Sequence, residues 1–301
     1  MRIVSLLPAA TEMIAALGRE ADLVGISHEC DYPPAICDRP RVTNTPVDPE
    51  RGSAQIDREV RELQAAGRPV IEVDGALLAE LLPDLIVTQS LCEVCAVADG
   101  VVQRLGAVMR PAPETLSLEA RNLEGIWDDI RSLGQILDEI TAARALVQSL
   151  QGRLEALTDG FHTSPGDNPR VLAVEWLDPL FLAGHWVPEL VRAAGGVNVG
   201  LAPGAHSVRW AWRDAAALKP DLILLMLCGF SAERAELELA ALADPEALAL
   251  LEAMPTWIME GNAFTSRPGP RVIEGAEQIH AILRGRPIPG PRRAITGARC
   301  R

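Results

Sequence analysis

Hydrophobic runs bounded by a proline and a cysteine occur twice in this chain. Residues 81–92 read LLPDLIVTQSLC and residues 218–228 read LKPDLILLMLC. In each, a helical stretch stops at Pro83 or Pro220, which cannot continue a helix, and an apolar strand too short to cross a bilayer follows. A second pair has the same grammar. Residues 13–25 (MIAALGREADLVG) and 190–200 (LVRAAGGVNVG) each read as a helix end, a glycine and a returning strand. The pattern predicts a duplicated α/β chain whose two similar lobes meet at a ligand cleft.

Along residues 1–116 the alternation predicts strands at 3–7, 23–27, 70–73 and 84–88 and helices at 11–17, 53–66, 75–81 and 96–105, a sequence that favours a mainly parallel sheet covered by helices. Residues 117–158 contain no proline and place Leu118, Ile126, Ile130, Leu133, Leu137, Ile140, Leu146, Leu150 and Leu154 at helical spacing. This predicts one connecting helix of roughly 60 Å, or two helices broken near Gly134. Residues 161–169 (FHTSPGDNP) are turn chemistry and open a second lobe over 159–284. Its strands are expected at 171–176, 222–227 and 257–260, with helices at 187–194 and 271–283. Residues 285–301 read as a basic tail.

Composition excludes some functions. The 301 residues are 48% hydrophobic, enough for buried cores, and the net charge of −13 argues against nucleic-acid binding. After Glu277 the chain carries six arginines and no acid. No segment is apolar for long enough to span a membrane. Arg2 leads directly into the first core strand without a charged n-region and apolar h-region, so a cytoplasmic protein with reduced cysteines is expected, or a periplasmic or cell-surface one if a leader has been removed.

In open parallel sheets ligands lie beyond the carboxyl ends of the strands, so the residues there are the candidates. Pro8 and Thr11 follow the first strand. The loop after the second packs His28, Glu29, Cys30, Asp31 and Tyr32 into five consecutive positions. Gln89, Cys92 and Cys95 follow the Pro83 strand. A Cys-x-x-Cys at a helix start suits metal ligation or dithiol chemistry, and with His28 it would make three metal ligands. Buried packing is the alternative for both thiols. In the second lobe Glu175 and Trp176 follow a strand, His185 and Trp186 precede a helix, and Asn262 and Phe264 lie in the last long loop.

The opening Ser5-Leu-Leu-Pro8-Ala-Ala-Thr11-Glu12, the Pro-Asp-Leu-Ile strands, the long central helical stretch and residues 261–270 resemble the class III substrate-binding proteins of ABC transporters, within the iron-siderophore and cobalamin group. The subgroup resembled is the cobalamin-binding one. The resemblance implies two Rossmann-like lobes joined by a single long helix, with a corrinoid or metal chelate in the cleft and an ABC permease as partner. Under that reading Trp176, Trp186, Tyr32 and Phe264 pack on the ligand while His28, Glu175, His185 and Asn262 meet its polar edge.

Two other classes remain open. One is a cytosolic transition-metal or redox protein using Cys92 and Cys95. The other is an acid/base enzyme using His28 with Glu29 or Glu175, although the chain lacks a P-loop, a nucleophile elbow and a dinucleotide fingerprint. Binding without catalysis is the expectation favoured here.

Overall fold

The computed structural model describes residues 1–90, 99–285 except 159–167, and the backbone of 294–295. The chain clusters into two compact units. One comprises Met1–Arg51, Gln55–Ala120 and Glu124–Gln148; the other comprises Gly52–Ala54, Arg121–Leu123 and Ser149–Arg301.

The first unit contains β1 (Ile3–Ser5), α1 (Pro8–Ala16), β2 (Leu23–Ile26), β3 (Thr43–Asn44), most of α2 (Ser53–Ala65), β4 (Glu72–Val73), α3 (Gly75–Glu80), β5 (Leu85–Gln89), α4 (Asp99–Val108) and β6 (Glu114–Leu118). Its main sheet is parallel throughout, in the order β2-β1-β5-β6. Every residue of β1 and β5 is buried, which explains their unbroken apolar runs: strands covered on both faces need no polar alternation. Val4, Leu6, Val42, Ile71, Leu78, Ile86 and Val102 form one core cluster.

Two helices follow, α5 (Leu123–Ile136) and α6 (Ile140–Thr158). The single helix expected over 117–158 is therefore interrupted, and its first residues belong to β6. The backbone shows why. Asp138 takes a left-handed φ of 58°, Glu139 N–H donates to Gly134 O at 2.7 Å and Asp138 N–H to Gln135 O at 3.4 Å. This closure is of the Schellman type. The next helix then passes so close that a Cβ on Gly134 would lie 2.3 Å from the Ala143 Cβ.

The second unit contains β7 (Arg170–Trp176), β8 (Phe181–Leu182), α7 (Val187–Ala193), β9 (Val197–Asn198), β10 (Val208–Arg209), α8 (Trp212–Ala217), β11 (Leu222–Leu225), α9 (Ala232–Ala241), α10 (Pro245–Ala253), β12 (Thr256–Ile258), α11 (Gly261–Phe264), α12 (Val272–Leu283) and β13 (Ala294–Ile295). Its sheet runs β10-β8-β7-β11-β12-β13, with β9 also paired to β7. The central strands β7, β11 and β12 are parallel. α12 turns Val272, Ile273, Ala276 and Ile279 inward, the helical spacing of a core-facing stripe. Each unit thus has a parallel core with strand carboxyl ends on one edge, where the candidate side chains emerge.

Candidate functional site

In the first unit Leu7 caps α1 and Pro8 occupies the first turn, where its missing N–H costs nothing. Pro8 is buried. Thr11 Oγ1 donates to Ser5 Oγ at 2.8 Å and lies 3.1 Å from the Cys30 sulfur. Beyond β2, Ser27 and Thr43 tie the next loop together. The Thr43 hydroxyl donates to Ser27 Oγ at 3.0 Å, accepts the His28 backbone N–H at 2.9 Å and lies 2.7 Å from His28 Nδ1.

Burial, and then the charge of Arg41, lower the pKa of His28 from its ordinary value. Arg41 is fixed by its own contacts, donating to the carbonyls of Ser27 (2.9 Å) and Cys30. It lines a cavity of about 320 Å³ with Thr43, Asn44, Glu72, Val73 and Asp74. Sequence reasoning missed Arg41 and Thr43, which sit after a long loop with no motif of their own. Tyr32 is 43% exposed. Gln89, the last residue of β5, is 8% exposed. Cys92 and Cys95 lie outside the described residues, and so does the three-ligand metal set they would form with His28. Among the described residues there is no group of three or more metal-binding side chains.

In the second unit Glu175 and Trp176 end β7, both half-buried. The Trp176 ring packs on Phe230, with centroids 5.1 Å apart and planes tilted by 42°. Its indole N–H donates to Ser53 O at 3.3 Å. The Arg234 guanidinium lies over the Phe230 ring, 5.3 Å from its centroid. Arg234 also pairs with Glu238 at 2.9 Å, and the buried Glu238 carboxylate accepts the Ser53 N–H at 2.7 Å. Phe230 O accepts the Asn262 N–H at 3.1 Å, and Asn262 Oδ1 accepts from Arg267 at 3.0 Å.

The result is an aromatic platform, the half-buried Trp176 backed by the buried Phe230, with the Asn262 backbone N–H bonded to the Phe230 carbonyl. Phe264, two residues on, faces the Arg271 guanidinium at 5.7 Å. Phe230 was absent from the sequence-derived candidates because it follows Cys228, where the apolar run stops.

Trp186 is 4% exposed and donates its indole N–H to Thr265 O at 2.8 Å. Its neighbour His185 is half-buried, in the left-handed region at φ 52°. Nε2 of His185 lies 3.4 Å from Nδ1 of His206. Burial first, then His206 and Arg121, push the His185 pKa down to about 4. His206, a single histidine in a turn-rich stretch, carried no signal in the sequence.

Two α/β units with parallel central strands and aromatic and polar groups at the strand carboxyl ends define a ligand-binding protein of the two-lobed periplasmic type. The chain belongs to the periplasmic binding protein family, whose profile matches residues 3–255. It is a binding protein rather than an enzyme. Among curated relatives it is similar to a vitamin B12-binding protein of Vibrio cholerae, 23% identical over 94% of this chain and 89% of that one. Among solved structures, a periplasmic heme-binding protein of Pseudomonas aeruginosa superposes with a TM-score of 0.73 at 19% identity, covering 96% of this chain and 95% of the other. The periplasmic vitamin B12-binding protein of V. cholerae gives 0.63 at 21%, covering 94% and 96%.

The family corrects one expectation. A cytoplasmic location was inferred from the start of the chain, whereas membership of a periplasmic binding protein family places proteins of this kind outside the cytoplasm. No helix among the described residues is long and apolar enough to cross a membrane.

Proposed function

We propose that the chain is a periplasmic or cell-surface substrate-binding component of an ABC importer, and that its ligand is a cobalamin-like corrinoid. The observation that carries the reading is the platform of Trp176, half-buried and backed by Phe230, at the carboxyl end of the parallel central strands of the second unit. Large flat ligands take their affinity from broad apolar contact and their orientation from a few polar groups. Glu175 and Asn262 supply such groups beside the platform, and Phe264 lies two residues beyond Asn262. The partner is the permease that receives the ligand.

Full-length similarity to vitamin B12-binding proteins favours the corrinoid. Likeness to a heme-binding protein in the solved structures keeps heme as the second reading. The thiol-based metal or redox alternative gains nothing from the described residues.

Titration of the purified full chain with cyanocobalamin and, separately, with hemin tests the assignment. Quenching of tryptophan emission and the visible absorbance of the ligand report binding. Saturation at one cyanocobalamin per chain, with micromolar or tighter affinity, is expected. Saturation by hemin alone would replace the corrinoid with heme, and the absence of binding by either would reject a tetrapyrrole ligand.

A further inference from the structure

We infer that His185 and His206 form a two-imidazole chelate for one divalent transition-metal ion of the zinc, nickel and copper class. The two ring nitrogens that face each other are 3.4 Å apart, and the ring centroids are 5.3 Å apart with the planes at 87°. A long hydrogen bond joins the two ring nitrogens, at a separation of 3.4 Å. That separation is also the spacing of two ligands on one tetrahedral ion. With metal-nitrogen bonds of about 2.0–2.1 Å, two nitrogens at a tetrahedral angle lie about 3.3–3.4 Å apart, and the centroids of their rings about 5.2 Å apart. Both measured separations match.

The backbone holds the pair in that geometry. His185 N–H donates to Ala205 O at 2.7 Å, and Gly204 N–H returns a bond to His185 O at 2.8 Å. Gly184 N–H donates to Ser207 Oγ at 3.1 Å. The two strands of loop approach so closely that a Cβ on Gly184 would lie 2.3 Å from Ala205 O. His185 itself is in the left-handed region, at φ 52°, a state uncommon outside glycine but one in which histidine is enriched. Arg121, whose charge acts on His185, repels a dication, a cost that the two metal-nitrogen bonds exceed in this proposal.

Among the described residues no third His, Cys, Asp or Glu completes the set, so the remaining positions go to water or to donors carried by a small molecule. Axial ligands of a single tetrapyrrole metal stand on opposite faces of the macrocycle, so this adjacent pair cannot serve one such metal with both imidazoles. The inference is therefore independent of the ligand proposed above.

The test uses the untagged full chain carrying Cys92→Ser and Cys95→Ser, so that thiolates at those positions take no metal. Calorimetric titration with Zn²⁺ and with Ni²⁺ should show one ion per chain. His206→Ala, at an exposed position, and His185→Asn, which tolerates the left-handed backbone, should each weaken binding by about 100-fold, because the second imidazole binds intramolecularly. Loaded with one Cu²⁺, the His pair should give an electron paramagnetic resonance spectrum with coupling to two nitrogens, and each variant should lose one of them. Circular dichroism confirms that the variants are folded. Failure of the unmutated pair to bind any of the three ions, or equal binding by both histidine variants, would overturn the assignment.

Discussion

The carboxylate of Asp221 accepts the backbone N–H of Arg170 at 2.8 Å. In the first unit Asp84 does the same for Arg2, at 2.7 Å. Each arginine immediately precedes or opens the strand that neighbours its aspartate, and each returns its own carbonyl to the aspartate N–H, at 2.7 and 2.8 Å. The arginine side chains repeat the theme, donating to Leu218 O and Lys219 O in one unit and to Leu81 O in the other. Leu82 and Lys219, just before the two prolines, are both left-handed, with φ of 44° and 50°. The repeated Pro-Asp-Leu-Ile is therefore a strand-alignment device used once per unit.

Replacing Asp84 or Asp221 by alanine removes that alignment bond at the start of a central strand. Each change should lower unfolding stability by about 1 kcal/mol, the typical net worth of one hydrogen bond. Urea denaturation followed by circular dichroism reads the effect. An effect at one site with none at the other would mean that the two copies do not act alike.

A different carboxylate makes the fold sensitive to pH. Asp129, on α5, is 8% exposed and accepts the N–H groups of Glu119 at 3.2 Å and Ala120 at 3.1 Å. Burial raises its pKa to about 6, against the lowering effect of those two amide bonds; the nearby charges of Glu119 and Asp128 add to the rise. The folded state then holds this proton more tightly than the unfolded chain does. Stability from this group should fall as pH rises from about 4 to about 6 and level off above that. Compared with Asp129→Asn, the natural chain should lose stability over that interval by an amount on the order of 2–3 kcal/mol. Denaturation midpoints of the two proteins at pH 4, 5, 6 and 7 should converge or cross; parallel curves would place the carboxyl's pKa near that of the unfolded chain.

The two tryptophans of the second unit separate structure from recognition. Trp186 is fully packed with its indole N–H satisfied, so Trp186→Ala should cost about 3–5 kcal/mol of stability. Trp176 is half-buried at the strand end, and Trp176→Ala should cost less stability yet weaken cyanocobalamin binding by about tenfold or more, as loss of an aromatic contact surface does. Binding titration alongside thermal unfolding resolves the two effects. If Trp176→Ala bound the corrinoid normally, the platform would not be the ligand surface.

What the sequence makes legible is what is coded locally. The Pro-Asp-Leu-Ile strands announce themselves because proline and an unbroken apolar run act within a few residues. β6 (Glu114–Leu118) does not, since only Leu118 is fully buried and its polar residues mimic a loop. The stop at Asp138 hides because an aspartate, not a glycine, takes the left-handed position. At the site, Trp176 and Asn262 are visible as residues that follow strands. Phe230 and His206 acquire their partners only through tertiary packing, His206 from His185 on a different loop, and no spacing rule reaches across that gap.

Gly261 starts α11, the short helix that carries Asn262 and Phe264. A Cβ there would fall 2.3 Å from Leu227 O, 2.7 Å from Met226 C and 2.8 Å from Leu227 N. All three atoms are backbone, immediately beyond β11, and cannot step aside as a flexible side chain would. Gly261→Ala should therefore destabilise the protein by about 2–3 kcal/mol through overpacking and, by displacing Asn262, weaken ligand binding as well. Gly204 provides the contrast: it has a φ of 76°, and a Cβ added there would meet nothing within 4 Å. Gly204→Ala should cost only the strain of a left-handed alanine, about 1–2 kcal/mol, and leave cyanocobalamin binding unchanged. Denaturation and binding measured on both variants decide the matter. Equal losses of affinity would show that the close approach at Gly261 does not position the residues beside the aromatic platform.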